Sequence, residues 1–291
     1  MNKGKSVFWA LLVMLLWGSL FPMVKLGYSA YSIESTADIL LFAGVRFTIC
    51  GIVVCLYSFI KDRHSYIPVK PAIVPILLSG VVAIVLHYGF TYTAMQFVAS
   101  SKTAILKQVG VLFYVCFSFL FFKDDKPNVK KLLGAVLGFS GIVVINSGSD
   151  GIGFGWGDIL IIAASFCTVV SNIISKRVFK TVNPVTSTGI SQLFGGIVLL
   201  TVGTLLGGNM KLGFDKSTLI IVYICLASIF SYCIWYSIVK KGELSKLFII
   251  KFAEPMFACI FGALILGENV FSIQYLSSFF LICIGILVSN K

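Results

Sequence analysis

Four charged side chains stand where charge is costly. Lys107 lies about eight residues, or roughly 12 Å at the helical rise, inside an apolar run. Lys251 sits nearer the start of a second such run, Arg46 lies in the first half of a third, and Glu254 follows Lys251 by three positions. Burying Lys or Arg at the centre of a bilayer costs about 2.5–3.5 kcal/mol on insertion scales, so such residues face a polar cavity or a partner. Three cations against one carboxylate describe an electropositive hollow, suited to a carboxylate or phosphate. Lys251 and Glu254 share a helical face, so a local ion pair is open to them, and Lys251 is close enough to its helix start to snorkel in part. Glu254 is read either as a structural group or as a proton-coupling one. Arg46 is a candidate lining residue of the same cavity.

Aromatic and amide side chains complete the candidate site. Tyr88 and Tyr92 are one helical turn apart, as are Tyr232 and Tyr236, each pair on one face. His87 and Trp235 neighbour them, and Trp17 and Asn172 are further candidates on the first and sixth apolar runs. A buried Tyr hydroxyl needs a partner, which a wet cavity supplies; ordinary helix packing is the competing reading for each. With only two histidines, His64 and His87, no metal set is expected. The eight cysteines fall inside apolar runs without a C-x-x-C pair, as small buried residues do. No paired carboxylates and no Ser/His arrangement point to an enzyme, and no cofactor is expected.

The elements that must position these residues follow from composition. The 291 residues are 58% hydrophobic and 12% charged, where soluble domains run near half apolar and about a quarter charged. Too few charges remain to cover a water-exposed surface, so lipid must cover it. Runs of spanning length lie near 6–27, 38–60, 71–95, 99–122, 131–147, 157–175, 185–207, 218–239, 247–266 and 271–289. The fold expected is all-α, a multi-pass cell-membrane protein of ten transmembrane helices. The first run is too long for a signal peptide's apolar region and lacks a small-x-small cleavage site, so it is read as a retained span. Connections are short and no soluble domain is inserted.

The net charge of +12 does not describe a nucleic-acid binder, because the basic residues are scattered in small groups at run ends. Lys3, Lys5, Lys61, Arg63, Lys70, Lys123, Lys126, Lys130, Lys131, Lys176, Arg177, Lys180, Lys240, Lys241, Lys246 and Lys291 fall on one side of a ten-span topology. Only Lys25, Lys102, Lys211 and Lys216 fall on the other. The positive-inside rule then puts both termini in the cytoplasm.

The two halves repeat. Shifted by 144 positions, Lys251 falls on Lys107, Lys246 on Lys102, Ser245 on Ser101, Tyr232 on Tyr88, Tyr236 on Tyr92 and Gly285 on Gly141; a shift of 146 puts Gln192 on Arg46. The expected units are residues 1–147 and 148–291. Each holds five spans, an odd number, so the halves lie inverted, the arrangement of secondary transporters with a site near the midplane. Gly134, Gly138 and Gly141 mark a close helix contact, either within the chain or in a homodimer.

Leu16-Trp17-Gly18-Ser19, Gly44-Val45-Arg46-Phe47, Ala253-Glu254-Pro255-Met256-Phe257 and Leu266-Gly267-Glu268 resemble the EamA-like branch of the drug/metabolite transporter superfamily over the whole chain. The resemblance implies a ten-helix inverted repeat around a central cavity, without fixing the substrate. One departure is Val111, beside Gly110, where the fourth span of the family usually carries a proline like Pro255; Lys107 and Gln108 replace residues that are commonly apolar there. Together these readings describe a carrier of a small polar metabolite (an amino acid, organic acid or other anionic solute) working by alternating access. Efflux of drugs or hydrophobic amines is the alternative; it needs an acidic, aromatic cavity, which the buried lysines oppose. With no G-x-x-x-x-G-K-[ST] loop, a gradient is expected to drive uphill movement.

Overall fold

The structure, a computed structural model, describes residues 3–66, 69–117, 129–145, 147–148, 151–152, 154–210, 217–239, 251 and 253–289. It is helical apart from a two-residue antiparallel bridge, Ser147–Gly148 against Gly151–Ile152. The helices are α1 (Lys3–Ala30), α2 (Thr36–Lys61), α3 (Val69–Gly80), α4 (His87–Ala94), α5 (Ser100–Leu106), α6 (Gln108–Phe117), α7 (Val129–Ile145), α8 (Trp156–Val178), α9 (Pro184–Leu205), α10 (Thr218–Val239), α11 (Ala253–Leu266) and α12 (Ile273–Ser289).

Six of the described helical runs are long and apolar enough to cross a membrane: Phe8–Ala30, Thr36–Lys61, Val69–Ala94, Trp156–Ser175, Pro184–Leu205 and Thr218–Trp235. Shorter apolar helices cover Leu132–Ile145, Ala253–Leu266 and Ile273–Gly285. Large apolar side chains such as Ile60, Val74, Leu219, Leu264 and Phe280 are exposed on the outside, a surface far more apolar than a water-soluble monomer presents.

Helix ends follow local chemistry. Ser35 and Asp38 form a reciprocal capping box at the start of α2. Asn183 caps α9 through the backbone N–H of Val185, with Pro184 in the first turn. Gly267 ends α11 at φ +65°, where its N–H donates to the Ala263 carbonyl and that of Glu268 to the Gly262 carbonyl.

Two long helix pairs hold the molecule. In the first, α2 lies on α9, with Gly44 and Gly51 facing Leu200 and Leu193, and Gly189, Gly196 and Gly203 facing Cys55, Thr48 and Leu41. A Cβ on Gly51 would stand 2.3 Å from the Leu193 nitrogen, and one on Gly196 2.4 Å from the Thr48 nitrogen. Small residues here let the backbones approach, which drives helix association in lipid. In the second pair α7 lies on α12. Gly285 abuts Gly134 and Gly138, and Gly141 abuts Ser278 and Ile282, so the glycines of the fifth apolar run serve packing within the chain. Between these pairs α1 packs on α10 and α11, and α8 packs on α3, α4 and α6.

Two helical runs are interrupted near the centre. The run from Val69 passes through a π-helical turn, Val81–Leu86, before His87. The fourth apolar run breaks at Lys107, between α5 and α6, so the expected continuous helix over 99–122 is two helices as far as it is described. At the break the Lys107 N–H donates to the Thr103 carbonyl, while its own carbonyl accepts from the Gly110 N–H and from Ser165 Oγ at 3.4 Å.

Candidate functional site

Both interruptions face one cavity of about 140 Å³. A π turn inside an α-helix and a discontinuous spanning helix are the local forms that membrane proteins use where backbone borders a cavity. Of the residues singled out in the sequence, Arg46, Lys107, Lys251, Glu254, Trp17, His87, Tyr88, Tyr92, Asn172, Tyr232 and Trp235 all line it. The side chain of Tyr236 lies outside the described residues.

The family-type motif at residues 16–19 is a crossing point. A Cβ on Gly18 would meet the Glu254 carbonyl at 2.8 Å and the Ala258 nitrogen at 2.9 Å, so only glycine lets α1 touch α11 there. That contact sets Trp17 beside Glu254 and Lys251. The Trp17 ring lies 5.2 Å from Trp235 and 5.7 Å from Tyr232, both on α10. Ser19 is bonded to the Tyr223 hydroxyl at 2.6 Å and donates to the Leu16 carbonyl. One wall is therefore an aromatic sheet held between three helices.

The cations rest on rings instead of on acids. Lys251 Nζ lies 5.7 Å from the centroids of both Trp17 and Trp235, and Lys107 Nζ lies 5.0 Å from that of Phe21. The Arg46 guanidinium is 4.7 Å from Phe47, 5.4 Å from Tyr88 and 5.7 Å from Tyr92. Among the described residues the ion pair is Lys102 with Asp158 at 3.0 Å, away from the cavity. The local pair expected between Lys251 and Glu254 does not form: the Trp17–Trp235 wall draws the ammonium over its rings. Cation–π contact contributes about 0.5–2 kcal/mol, which offsets part of the cost of burying these cations without supplying a counter-charge.

Arg46, 1% exposed, donates from Nε at 3.1 Å and from Nη2 at 2.7 Å to the Ser228 hydroxyl on α10. It thus both ties α2 to α10 and borders the cavity. The His87 Nδ1 lies 2.8 Å from the Ala164 carbonyl and 3.0 Å from Thr168 Oγ1. A carbonyl only accepts, so Nδ1 carries the hydrogen, and the ring braces α4 against α8. The hydroxyl of Tyr88 meets that of Tyr232, and the Tyr28 hydroxyl donates to the Tyr92 carbonyl at 2.8 Å. Glu254 is 7% exposed.

Among the described residues three buried polar atoms that belong to lining residues have no partner: Trp17 Nε1, the Tyr92 hydroxyl and Gln108 Oε1. Buried polar groups are bonded as a rule, so unbonded ones at a cavity wall leave hydrogen-bonding capacity unused there. Gln108, noted in the sequence only as a polar departure, lines the cavity too. So do Thr91, Thr168 and Ser171, which sequence reasoning missed, because neutral polar residues in an apolar run carry no signal beyond their type. Among the described residues no three His, Cys, Asp or Glu side chains gather as a metal site.

The second motif, Leu266-Gly267-Glu268, closes one end of the bundle. The turn at Gly267 swings the Glu268 carboxylate to the start of α5, where it accepts from the Ser100 N–H at 2.7 Å, the Ser101 N–H at 2.9 Å and the Ser101 hydroxyl at 2.6 Å. Burial pushes this carboxyl up, yet the bonds from Ser101 and Ser100 together outweigh it and hold Glu268 below the usual carboxylate range.

Known proteins are similar to this chain in sequence and in fold. The chain is 25% identical over 265 residues to the uncharacterized inner membrane transporter YedA of Escherichia coli K12, covering 90% of this chain and 83% of that one. It is 26% identical over 289 residues to the uncharacterized transporter YoaV of Bacillus subtilis, covering 96% and 94%. A solved protein structure superposes with a TM-score of 0.69 over 99% of this chain and 96% of that one, at 19% identity, which speaks for the fold alone. The profile of the EamA-like transporter family matches residues 4–147 and again 155–291. This multi-pass membrane protein therefore belongs to the EamA-like transporter family.

Proposed function

We propose that the protein is a secondary carrier of a small anionic metabolite, a carboxylate or phosphate ester, which binds between Lys107, Lys251 and Arg46. One observation carries this reading: three cations line a single buried cavity, and none has a carboxylate within ion-pairing distance among the described residues. An anion is the partner they lack. Glu254 alone opposes them in charge, which disfavours hydrophobic cations as cargo. The unbonded Trp17 N–H and Tyr92 hydroxyl add donors suited to oxygen acceptors.

The movement proposed is alternating access of two inverted five-helix repeats, residues 1–147 and 148–291, making ten spans with both termini in the cytoplasm. The packing supports it. Exchanging each helix for its counterpart turns the α1–α10 contact into the α8–α4 contact, and the α1–α11 contact into the α8–α6 contact, while α2–α9 and α7–α12 map onto themselves. Such self-mapping pairs lie on a two-fold axis. The doubled family match over 4–147 and 155–291 supports the same division. Within this scheme Glu254 is the candidate coupling group.

Purified protein in proteoliposomes tests the proposal with radiolabelled carboxylates and sugar phosphates. Saturable uptake of an anion, abolished in Lys107→Ala with membrane insertion intact, is the expected result; saturable uptake confined to amines would overturn it.

A further inference from the structure

A second, smaller chamber of about 50 Å³ adjoins the cationic cavity. Ala83, Ser171, Asn172 and Tyr232 line both, so the two meet there. Its chemistry is different. Ser79, Ser175, Ser187, Thr188, Ser191 and Gln192 surround it, and among the described residues that line it none carries a charge. At roughly 10–15 Å³ per water, it has room for about three to five water-sized groups.

The chamber holds more hydrogen-bonding capacity than the protein uses. Gln192 is 1% exposed, yet neither its amide oxygen nor its amide nitrogen has a partner. The hydroxyls of Ser187 and Thr188 make no hydrogen bond among the described residues, whereas Ser79 is bonded to Ser175 at 3.2 Å and Ser191 donates to the Ile76 carbonyl at 3.0 Å. An amide left with both atoms unbonded costs the desolvation of each, which a ligand with its own donors and acceptors relieves. A carboxylate would be poorly served here, with no cation to face it. A bare hydrocarbon would leave the amide orphaned. Hydroxyl groups, which both donate and accept, can serve both the amide oxygen and the amide nitrogen. The counterpart of Gln192 in the repeat is Arg46 (146 positions earlier), so the related sites of the two halves offer a cation on one side and a neutral amide on the other.

We infer that the cargo is a bipartite anion, whose charged group sits among Arg46, Lys107 and Lys251 while a hydroxyl-bearing portion enters the chamber around Gln192, Ser187 and Thr188. The inference rests on the anion-carrier reading above and narrows its substrate class to hydroxylated acids. A site built to bond a hydroxyl discriminates against an analogue lacking it, because its own polar groups are then left unpaired.

Matched pairs of acids that differ in hydroxyls test this: malate with succinate, glycerate with propionate, gluconate with hexanoate. Affinities are read from thermal stabilisation of purified protein in detergent. We expect the hydroxylated member of at least one pair to bind about tenfold more tightly, on the scale of one or two neutral hydrogen bonds. Gln192→Leu should bring that ratio close to one without weakening the unsubstituted acid, and Lys107→Gln should weaken both members alike. Ser187→Ala removes one oxygen with little change of shape, and repeats the test should Gln192→Leu fail to fold. Acids that bind without preference for hydroxyls, or a preference that Gln192→Leu and Ser187→Ala leave unchanged, would overturn this inference and leave the anion carrier standing. Stabilisation by sodium chloride over choline chloride that Gln192→Leu abolishes would overturn it too, by making the chamber a cation site. Failure of every acid, and of glycerol phosphate and glucose phosphate beside them, to bind wild-type protein would instead remove the anion reading, and this inference with it.

Discussion

Tyr88 and Tyr232 hold one another hydroxyl to hydroxyl although they stand 144 positions apart. That separation is also the one between Lys107 and Lys251, so residues related by the repeat meet across the cavity that both lysines line. A contact between symmetry-related residues lies on the symmetry axis. The tyrosine pair thus marks the seam along which the two proposed repeats would move.

A seam contact should be coupled. Tyr88→Phe and Tyr232→Phe each remove one hydroxyl and keep the ring, so each should cost about 1 kcal/mol of stability. The double variant should cost little more than either single one, because the second change removes a bond already lost. Melting curves of the four proteins in one detergent measure the cycle; strictly additive losses would mean that the bond contributes nothing.

The lysines should separate charge from shape. Lys251→Met keeps most of the apolar length of the side chain while removing its charge and with it the contact of Nζ with Trp17 and Trp235. Binding of an anionic cargo should fall about tenfold or more, as loss of a charge-assisted bond implies, with a neutral analogue of the same shape much less affected. Isothermal titration of both ligands decides it, since equal losses would point to damaged folding.

How far this site was legible depends on the residue. Lys107, Lys251, Arg46 and Glu254 announce themselves because charge inside an apolar run has few explanations, and the repeat pairs the lysines before any coordinates are seen. Tyr88 and Tyr232 are paired by the same shift. Gln192 shows only as the repeat counterpart of Arg46, and Ser228 announces nothing, since a neutral polar side chain in a spanning helix is tolerated almost anywhere and hydropathy averages it away. The break at Lys107 has no proline to predict it, and the π turn at Val81–Leu86 lies in plain aliphatic sequence. The glycines of α7 were legible as a packing face, although whether within the chain or between chains was left open. Those of α2 and α9 recur every seven residues and pass unnoticed until the two helices are seen together.

The α2–α9 seam makes the next expectation. Gly196→Ala would set a methyl 2.4 Å from the Thr48 backbone nitrogen, which cannot retreat without moving α2. Overpacking of this kind costs about 1–3 kcal/mol. Gly207 has nothing within 4 Å of where a Cβ would stand, but its φ of +80° strains any L side chain, so Gly207→Ala should cost about 1 kcal/mol through backbone alone. Gly196→Ala should therefore lower the melting temperature more than Gly207→Ala; the reverse order would mean that the helices can part freely.

Glu268 offers a pH-dependent test outside the spans. Its carboxylate is held below the usual range in the folded protein, so the ionised form binds the start of α5 more strongly than the protonated form does. A group with a lowered folded value adds stability that is present above the ordinary carboxylate range and lost as pH falls through the lowered value. The contribution is modest because the carboxyl is only partly buried, about 1 kcal/mol once solvent screening is allowed for. The melting temperature should accordingly decline on acidification below about pH 4.5, the region where free glutamate begins to protonate, and Glu268→Gln should flatten that part of the profile while lowering the plateau at neutral pH. Ser101→Ala, which deletes the bond at 2.6 Å but leaves both backbone donors, should shift the decline to higher pH without abolishing it. Superimposable acid profiles for the wild type and Glu268→Gln would show that the link between the end of α11 and the start of α5 does not hold this end of the bundle closed.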